Sequence, residues 1–232
     1  MKKSWWIILA SVLVLVVAGY FIWPLAFTVV TIEQVEQAKQ SEAFDPVAYV
    51  DQLWASKLIP TIKEDAVDVQ TILNEFKPDA QNKALKDSLL PVVEKYGLVT
   101  VGEAHVYLVK GKGQVASVDT KSSTGLAEVL VEGYTGPIKV KLFIGPRIPS
   151  DETSLRDGVG INFGDFKEQT EYGKVANEIN KRVNSEVLGK LDKAALEGKT
   201  VTFYGAFMIR TFNLLNIDLK EIRIIPIEIT VE

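Results

Sequence analysis

The sequence predicts an α+β fold that follows an N-terminal transmembrane helix. Three observations support this prediction: an uncharged apolar segment opens the chain, apolar residues recur every three or four positions from about residue 45 to residue 97, and their period changes to two from residue 105. Because a separate helical block comes first and the strands that follow it flank a single helix, the class is α+β rather than alternating α/β. We expect a membrane anchor over 1–30, a helical subdomain over 31–100 and an α/β barrel-like subdomain over 101–232.

The N-terminal segment has the composition of a membrane-spanning helix. No charged residue occurs from Trp5 to Val30, and this segment contains fifteen Leu, Ile, Phe and Val residues after the basic pair Lys2-Lys3. At about −0.4 kcal/mol for each of them, insertion into a bilayer is favoured by roughly 6 kcal/mol. Aromatic residues stand near both ends, and the basic N-terminus stays inside. We therefore expect a single pass through the cytoplasmic membrane over residues 5–27, with the C-terminal region extracytoplasmic, in the periplasm.

A cleaved signal peptide is the alternative for this segment. Val16-Val17-Ala18 before Gly19 fits the small-residue pattern of a cleavage site. Cleavage there would leave the apolar stretch Tyr20–Phe27 at the start of the mature chain. For that reason we favour the uncleaved anchor.

Three helices are predicted after the anchor. Asp45-Pro46 is an N-cap followed by proline at the first helical position, and the helix runs until Pro60 interrupts it. A second helix is predicted from about Thr61 to Phe76, and Pro91 starts or kinks a third that ends near Gly97. The apolar face of the first helix consists of Val47, Val50, Trp54 and Leu58.

From His105 onward the pattern is that of strands. A first pair is predicted at 105–108 and 115–118, with a turn at Gly111 and Gly113. The further predicted strands are Leu126–Glu132, Ile138–Ile144, Val201–Ile209 and Ile222–Val231. Five or so strands of this length are expected to form a small antiparallel, barrel-like sheet.

One long helix is predicted between the fourth and fifth of these strands. It runs from about Phe166 to Glu197, with Asp165 as its N-cap, Glu168 completing a capping box and Gly198 as its stop. Its apolar stripe consists of Tyr172, Val175, Ile179, Val183, Val187, Leu191 and Ala195.

Composition excludes several classes of function. The chain carries 26 Lys and Arg against 30 Asp and Glu, a net charge of −4. This balance, without any basic run, argues against nucleic acid as a partner, because phosphate binding needs clustered cations. Cysteine is absent and His105 is the only histidine, so we expect no disulfide, no thiolate or two-histidine metal site and no cofactor.

The candidate ligand-binding residues lie in the polar loop 145–166: Arg147, Arg156, Asp157 and Asn162. Two arginines can grip a carboxylate or a phosphate in bidentate fashion, and long ordered loops often hold binding sites. The competing interpretation, which we favour, is that Arg156 pairs with Asp157 or Asp165 and thereby pins the loop.

Catalytic residues are not expected. Paired carboxylates can perform acid/base catalysis, but the four in this loop, Asp151, Glu152, Asp157 and Asp165, are what composition predicts for an exposed loop. Nothing links the turn Ser122-Ser123-Thr124 to His105, which we expect to be half-buried and hydrogen-bonded. Tyr49 and Trp54 are expected in the core rather than in a sugar-stacking platform.

A series of short motifs runs through the chain after residue 30: Phe44-Asp45-Pro46 through Trp54-Ala55-Ser56-Lys57-Leu58-Ile59-Pro60, Gly113-Gln114-Val115 to Asp119-Thr120, Ile144-Gly145-Pro146, Leu155-Arg156-Asp157, Phe163 to Asp165-Phe166, Gln169, Asn180, and Gly198-Lys199 to Gly205-Ala206-Phe207. In this order the motifs resemble those of an uncharacterised bacterial family of predicted periplasmic lipoproteins, the domain of unknown function 2291. The resemblance covers almost everything after residue 30.

The resemblance implies a fold and a context but no activity, because the family has no established catalytic residues. The fold it implies is a helical subdomain joined to a small α/β part with a barrel-like, OB-like sheet. Its members are often encoded beside sugar-uptake ABC transporters, which implies a role near solute transport. This chain lacks the lipid-bearing cysteine expected near residues 18–28, so the uncleaved anchor would have to replace the lipid.

These observations together predict a non-catalytic extracytoplasmic binding or accessory module linked to sugar transport. Its expected partners are the membrane, an ABC transporter component or a small sugar-like solute. One alternative is a carbohydrate-acting hydrolase that uses the loop carboxylates. Another is a structural envelope assembly factor, which would show an exposed apolar patch on the helical subdomain and no pocket.

Overall fold

The computed structural model describes Trp5, Leu13, 44–100 and 102–232, and the chain divides into two compact units, 1–44 and 45–232. The predicted anchor over 1–30 and the alternative cleavage site therefore lie outside the described residues, apart from Trp5 and Leu13, which are helical and exposed. Among the described residues, none of the helices combines the length and the apolar character that a membrane crossing needs. The elements below belong to the unit 45–232.

Helix α1, Pro46–Leu53, begins as predicted. The Asp45 carboxylate accepts hydrogen bonds from the backbone N–H of Val47 at 2.9 Å and of Ala48 at 3.2 Å. The chain then continues through a π-helical turn, Trp54–Leu58, into α2, Ile59–Asp65. The prediction that Pro60 interrupts the helix was wrong: because the wide turn pairs residues five apart, it accommodates a proline that has no N–H to donate.

The single helix predicted over 61–76 is broken in two. After α2 ends at Asp65 the chain becomes extended, and β1, Val67–Asp68, pairs in parallel with Val109 and Lys110 before α3, Val69–Glu75, begins. Pairing with a long central strand has thus overridden the helical periodicity. The next elements are β2, Lys83–Leu85, α4, Lys86–Tyr96, which carries Pro91 in its interior, and β3, Gly97–Val99. The remaining strands are β4, Ala104–Asp119, β5, Leu126–Val131, β6, Lys139–Phe143, β7, Thr200–Arg210, β8, Asn216–Asp218, and β9, Glu221–Val231.

The main sheet has seven strands in the order β1-β4-β5-β6-β9-β7, and β3 pairs with β4. β4 also pairs with β7, from Ala104 opposite Arg210 to Gln114 opposite Thr200, while its C-terminal part pairs with β5. The prediction of an antiparallel sheet was wrong for two pairs of strands, because β1–β4 and β6–β9 are parallel. A separate two-stranded sheet joins β2 to β8.

The turn predicted at Gly111 and Gly113 does not exist, because β4 runs through both glycines as one strand. A Cβ atom at Gly113 would lie 2.2 Å from the carbonyl oxygen of Leu130, and one at Gly111 would lie 2.6 Å from Cζ of Phe203. The glycines therefore allow close approach of neighbours within a continuous strand rather than a reversal of the chain.

The long helix predicted over 166–197 is shorter and begins later. Helix α6, Gln169–Arg182, is capped by Glu168 in a capping box with Glu171, whereas Asp165 forms a second capping box with Asn162 around a short 3-10 turn. After Arg182 the chain winds through a π-helical turn, Val183–Val187, and a 3-10 turn, Leu188–Lys190, before extending at Leu191. A further 3-10 turn covers Lys193–Ala195, and α5, Ser154–Gly158, precedes α6 in the loop after β6.

One hydrophobic core joins the helices to the sheet. Tyr107 of β4 is fully buried, stacks on Phe207 of β7 at 4.8 Å between ring centroids and meets Phe76, which follows α3, edge-on at 5.9 Å. The boundary predicted near residue 100 falls in the turn between β3 and β4, two strands that pair with each other. The division of the chain into two subdomains at this boundary stays a prediction.

Candidate functional site

A cavity of about 410 Å³ lies where the start of β4, the end of β7 and the loop after β6 come together. The ladder between Ala104 and Arg210 brings the two strand ends together, and the backbone N–H of Thr211 donates to the carbonyl of Glu103 at 3.2 Å. The lining residues are Thr100, Gly102, Ala104, Asp151, Thr153, Arg156, Asp157, Asn162, Phe163, Gln169, Tyr172, Met208, Arg210 and Phe212.

The loop after β6 is held against the sheet and against α6 by buried polar side chains. The Ser154 hydroxyl donates to the carbonyl of Ala206 in β7 at 3.3 Å, and Asn180 Nδ2 in α6 donates to the carbonyl of Glu152 at 2.7 Å. Both of these side chains are almost fully buried. Buried polar groups with satisfied hydrogen bonds fix one arrangement of the chain, so this wall of the cavity is preorganised.

Arg156 and Asp157 form a buried ion pair at the base of the cavity. Arg156 donates from Nε to Asp157 Oδ1 at 2.8 Å and from Nη1 to the carbonyl of Tyr172 at 3.0 Å, while its Nη2 lies 2.7 Å from the same Asp157 oxygen. Its guanidinium carbon lies 3.3 Å from the centroid of the Tyr172 ring. The interpretation that Arg156 pins the loop through Asp157 thus matches the geometry.

Asp157 accepts from two further donors. The Tyr172 hydroxyl donates to Oδ1 at 2.7 Å, and the Thr153 hydroxyl donates to Oδ2 at 2.6 Å. Burial first, and then the hydrogen bond to Asp157, raise the pKa of Tyr172 to about 12, so its proton stays in place at neutral pH. Both carboxylate oxygens of Asp157 therefore already accept hydrogen bonds from donors of the protein itself.

Arg210 is the most accessible cation of the site. Its side chain is 48% exposed, and its guanidinium lies 3.2 Å from Asp151 Oδ2 and 3.7 Å from Glu152 Oε1. Arg210 also lines a second groove of about 400 Å³, together with Glu152, Glu221 and other charged residues. Burial raises the pKa of Glu152, although the positive charge of Arg210 opposes this shift.

Two exposed aromatic rings flank the cavity. Phe163 meets Tyr172 edge-on at 5.9 Å, and Phe212 lies 61% exposed just after β7. Polar side chains capable of hydrogen bonding, among them Asn162 and Gln169, share the same lining. The cavity therefore offers apolar ring surface beside amide, hydroxyl and guanidinium groups.

The structure brings three of the four predicted site residues together. Arg156, Asp157 and Asn162 line the cavity, whereas Arg147 is exposed and does not belong to the lining. Asn162 Nδ2 donates to the carbonyl of Gly160 at 3.1 Å, which fixes the local turn. Sequence reasoning missed Tyr172 and Arg210, together with Phe212; the signal for Phe212 was a large apolar residue in the loop that follows a predicted strand.

The other residues considered from the sequence fall outside this cavity. His105 was expected to be half-buried and hydrogen-bonded, but it is 1% exposed and its Nδ1 has no hydrogen-bond partner. Desolvation lowers the pKa of this imidazole, so the neutral form is favoured. Trp54 is buried as predicted, while Tyr49 is half-buried and lies 5.4 Å from the ring of Phe166.

A larger cavity of about 490 Å³ lies between the π-helical turn at Trp54 and strand β9, but its chemistry is less suited to a ligand. Its two carboxylates are already paired, Glu186 with Arg182 at 2.7 Å and Glu228 with Lys63 at 2.9 Å. Within the described part of the chain, no cluster of three or more His, Cys, Asp or Glu side chains is arranged to hold a metal ion. We therefore place the candidate site in the cavity around Arg156 and Arg210.

Comparison with known proteins finds one family and one fold. The model of the family described as "Predicted periplasmic lipoprotein (DUF2291)" matches residues 12–230. Among solved structures, the crystal structure of an OB-fold protein from Thermotoga maritima is similar, with a TM-score of 0.60, 23% sequence identity and coverage of 82% of this chain and 100% of that chain. No curated protein matches the sequence. The structural similarity shows a shared OB-type fold and carries no information about a ligand.

Proposed function

The chain belongs to the DUF2291 family of predicted periplasmic lipoproteins, and from this membership and the cavity we propose that it is a membrane-held extracytoplasmic module that binds a small polyhydroxylated solute without transforming it. The family assignment supports the extracytoplasmic location. The chain has no cysteine to carry a lipid, so we assign the role of membrane anchor to the apolar residues 5–27.

The observation that carries the proposal is the combination of groups in the cavity. A sugar has apolar ring faces formed by C–H groups and a rim of hydroxyls, so its binding site needs aromatic surface together with planar hydrogen-bonding side chains. Phe163 and Phe212 supply the first, and Asn162, Gln169 and Arg210 supply the second. Small-molecule pockets generally combine apolar walls with a few placed polar groups in about 300 to 1,000 Å³. A volume of about 410 Å³ favours a solute of one or two sugar rings.

The accessible guanidinium of Arg210 extends the expected ligands to sugar acids. Arg210 Nη2 donates to the backbone carbonyl of Asp151 at 2.6 Å, but its contacts with the carboxylates of Asp151 and Glu152, at 3.2 and 3.7 Å, are long and its side chain is 48% exposed. A ligand carboxylate can therefore compete with these two carboxylates for the guanidinium at little cost. Arg156 is already saturated by Asp157 and by the Tyr172 carbonyl. Of the two cavity arginines, Arg210 is thus the one that we assign to ligand recognition.

The proposed link to sugar transport, with an ABC transporter component as partner, rests on the family resemblance alone. A non-catalytic binder held at the membrane would present its solute, or report its presence, to such a partner. Photo-crosslinking from positions around Phe163 in native membranes tests this link. Recovery of a transporter subunit supports it, and recovery of unrelated proteins only would remove it from the proposal.

A thermal-shift screen of the full chain against sugars, sugar acids and sugar phosphates tests solute binding. A ligand at 100 times its dissociation constant adds about 2.7 kcal/mol of stability, and for a domain of this size that corresponds to roughly 5 to 10 °C in Tm. Phe163→Ala and Arg210→Ala should abolish the shift. Leu130→Ala, an exposed apolar position on β5 outside the cavity, is the matched control. A flat response over the whole panel would refute solute binding.

A carbohydrate-acting hydrolase is the second candidate, favoured by one observation. Glu152 is largely buried with a raised pKa and lies beside Asp151 and Arg210, which is the environment of a general acid. Chromogenic glycosides report turnover directly. Activity that disappears in Glu152→Gln would replace our proposal with a hydrolase, and absence of turnover with ligands that do bind would end the catalytic candidate.

A further inference from the structure

Three large apolar side chains are exposed next to one another in the unit 45–232, and we call them the apolar tip: Leu85, Leu214 and Leu215. Their exposures are 63%, 46% and 81%. Leu85 pairs with Asn216 in the β2–β8 ladder, and the backbone N–H of Lys86 donates to the carbonyl of Leu215 at 3.0 Å. The three residues are therefore neighbours in space although about 130 positions separate Leu85 from the other two.

Backbone hydrogen bonds hold the apolar tip in this exposed arrangement. The N–H of Leu214 donates to the carbonyl of Thr211 at 3.1 Å, and the N–H of Thr211 donates to the carbonyl of Glu103 at 3.2 Å. Asn213, with φ of +56°, forms the bend between Phe212 and Leu214. The loop is thus built to present its leucines rather than to bury them, and an ordered apolar protrusion of this kind marks an interaction surface.

We propose that the apolar tip lies in the interfacial region of the lipid bilayer, as a second membrane contact besides the N-terminal anchor. This inference rests on the proposed function, in which the apolar residues 5–27 hold the unit 45–232 near a membrane. Residues 31–44, between the apolar segment and the unit, can span at most about 50 Å. A tether of that reach gives the tip a high effective concentration at the bilayer, so that a few leucines suffice for contact.

The charges around the apolar tip favour an uncharged lipid surface over an oppositely charged partner. The segments that carry the tip, 79–87, Glu103 and 210–220, contain four cations and four anions: Lys83, Lys86, Arg210 and Lys220 against Asp79, Asp87, Glu103 and Asp218. Such a balanced rim creates no net field to recruit an acidic or a basic protein. We therefore expect the contact to occur with zwitterionic lipid and to be insensitive to salt.

The absence of cysteine makes the test direct. Leu215→Cys in the full chain receives an environment-sensitive fluorophore, and the protein is reconstituted in phosphatidylcholine vesicles with or without brominated phosphatidylcholine, whose bromines quench fluorophores inside the bilayer. Leu130→Cys, also an exposed leucine at 59%, is the matched control on β5. Leu214→Cys is a second test position, and neither 214 nor 215 lines the cavity, so failure of solute binding does not affect the result.

The expected result is a blue shift and several-fold stronger quenching by brominated lipid at positions 214 and 215 than at position 130, unchanged in high salt. Water-like emission at all three positions overturns the proposal. A blue shift without quenching by brominated lipid also overturns it, because it means that a second copy of the chain covers the tip. Quenching at position 130 as strong as at positions 214 and 215 would mean that the unit adsorbs to the bilayer without a preferred face. That result would also refute a contact through the apolar tip.

Discussion

Arg156 forms its contacts within the protein, and removing it has a predictable cost. The side chains of Arg156 and Asp157 are only 8% and 7% exposed. Breaking a buried ion pair leaves the partner's charge uncompensated, so we expect Arg156→Ala to lower the free energy of unfolding by about 3 to 5 kcal/mol. Chemical denaturation measures this loss.

Lys63→Ala is the control for that measurement. It breaks the exposed pair with Glu228, in which both side chains are at least 40% exposed, and should cost at most about 1 kcal/mol. Equal losses for the two variants would contradict a structural role for Arg156. The same reasoning explains why Arg156→Ala is a poor test of ligand binding and Arg210→Ala a better one.

Glu152 gives a second prediction at the residue scale, concerning pH. Because burial raises its pKa in the folded state, the folded protein binds more protons than the unfolded chain just above the ordinary glutamate pKa of about 4.3. Stability associated with Glu152 is therefore present at acid pH and is lost as pH rises through the folded pKa. Glu152→Gln removes this titration, so the variant should be more stable than the wild type at neutral pH and equal to it at acid pH.

Glu75 provides a control of opposite sign. Hydrogen bonds from Lys95 and Tyr96, at 2.6 and 2.5 Å, lower the pKa of this carboxyl. Its stabilising effect is present above the unfolded pKa and disappears as pH falls, so Glu75→Gln should be less stable than the wild type at neutral pH. Denaturation midpoints over a pH series compare both variants. If both variants were less stable than the wild type at neutral pH, or both were more stable, the prediction for Glu152 would be contradicted.

At the scale of elements, the glycines of β4 carry a testable consequence. Gly113→Ala would place a Cβ 2.2 Å from the backbone carbonyl of Leu130, so the β4–β5 ladder must shift and about 1 to 3 kcal/mol of stability should be lost. Gly173→Ala in α6 is the matched control, because its Cβ would meet nothing within 4 Å and a helix-interior alanine gains up to about 1 kcal/mol. In thermal or chemical unfolding, Gly113→Ala should therefore be less stable than the wild type and Gly173→Ala more stable. If Gly113→Ala had the stability of the wild type, the close approach of β5 to Gly113 would be refuted.

The elements that the sequence predicted well are those whose pattern is decided locally. The predicted strand Val201–Ile209 is one residue shorter than β7 at each end, and Ile222–Val231 starts one residue later than β9. The agreement arises because alternating apolar residues reflect a sheet with one buried face. The helix predicted over 61–76 failed where β1 pairs with a strand some forty residues later. Short strands such as β1, β2 and β8 depend on distant partners, and two or three residues carry no period of their own.

At the scale of the whole molecule, the candidate site contains residues that only the strand order brings together. Arg156, Asp157 and Asn162 were found because they lie in one polar loop, and Arg147 was added for the same reason although it lies outside the cavity. Arg210 joins them only because β7 pairs with β4 and places its end beside that loop. The contact between Arg210 and this loop, about fifty positions earlier in the chain, depends on the strand order. The periodicity of apolar residues does not predict the strand order.

The charge arrangement on the sheet predicts that this OB-type fold does not bind nucleic acid. OB-folds that bind single strands use a cationic groove with stacking aromatic rings. On β5, β6 and β9 the cations are instead neutralised: Lys139 lies 3.0 Å from Glu128, Lys141 lies 2.5 Å from Glu221, and Arg223 lies 2.6 Å from Glu221. With a net charge of −4 as well, no counterion release is available to drive binding.

We therefore expect no retention of a single-stranded oligonucleotide in fluorescence anisotropy, even at low salt, with a single-stranded-DNA-binding OB-fold protein as positive control. Glu128→Gln combined with Glu221→Gln frees three cations on one face and should produce weak binding that disappears as salt rises. Binding by the wild type would contradict the prediction. Because the two carboxylates leave the net charge negative even when both are removed, a gain of binding in the double variant would identify local pairing, rather than total charge, as the feature that keeps nucleic acid away.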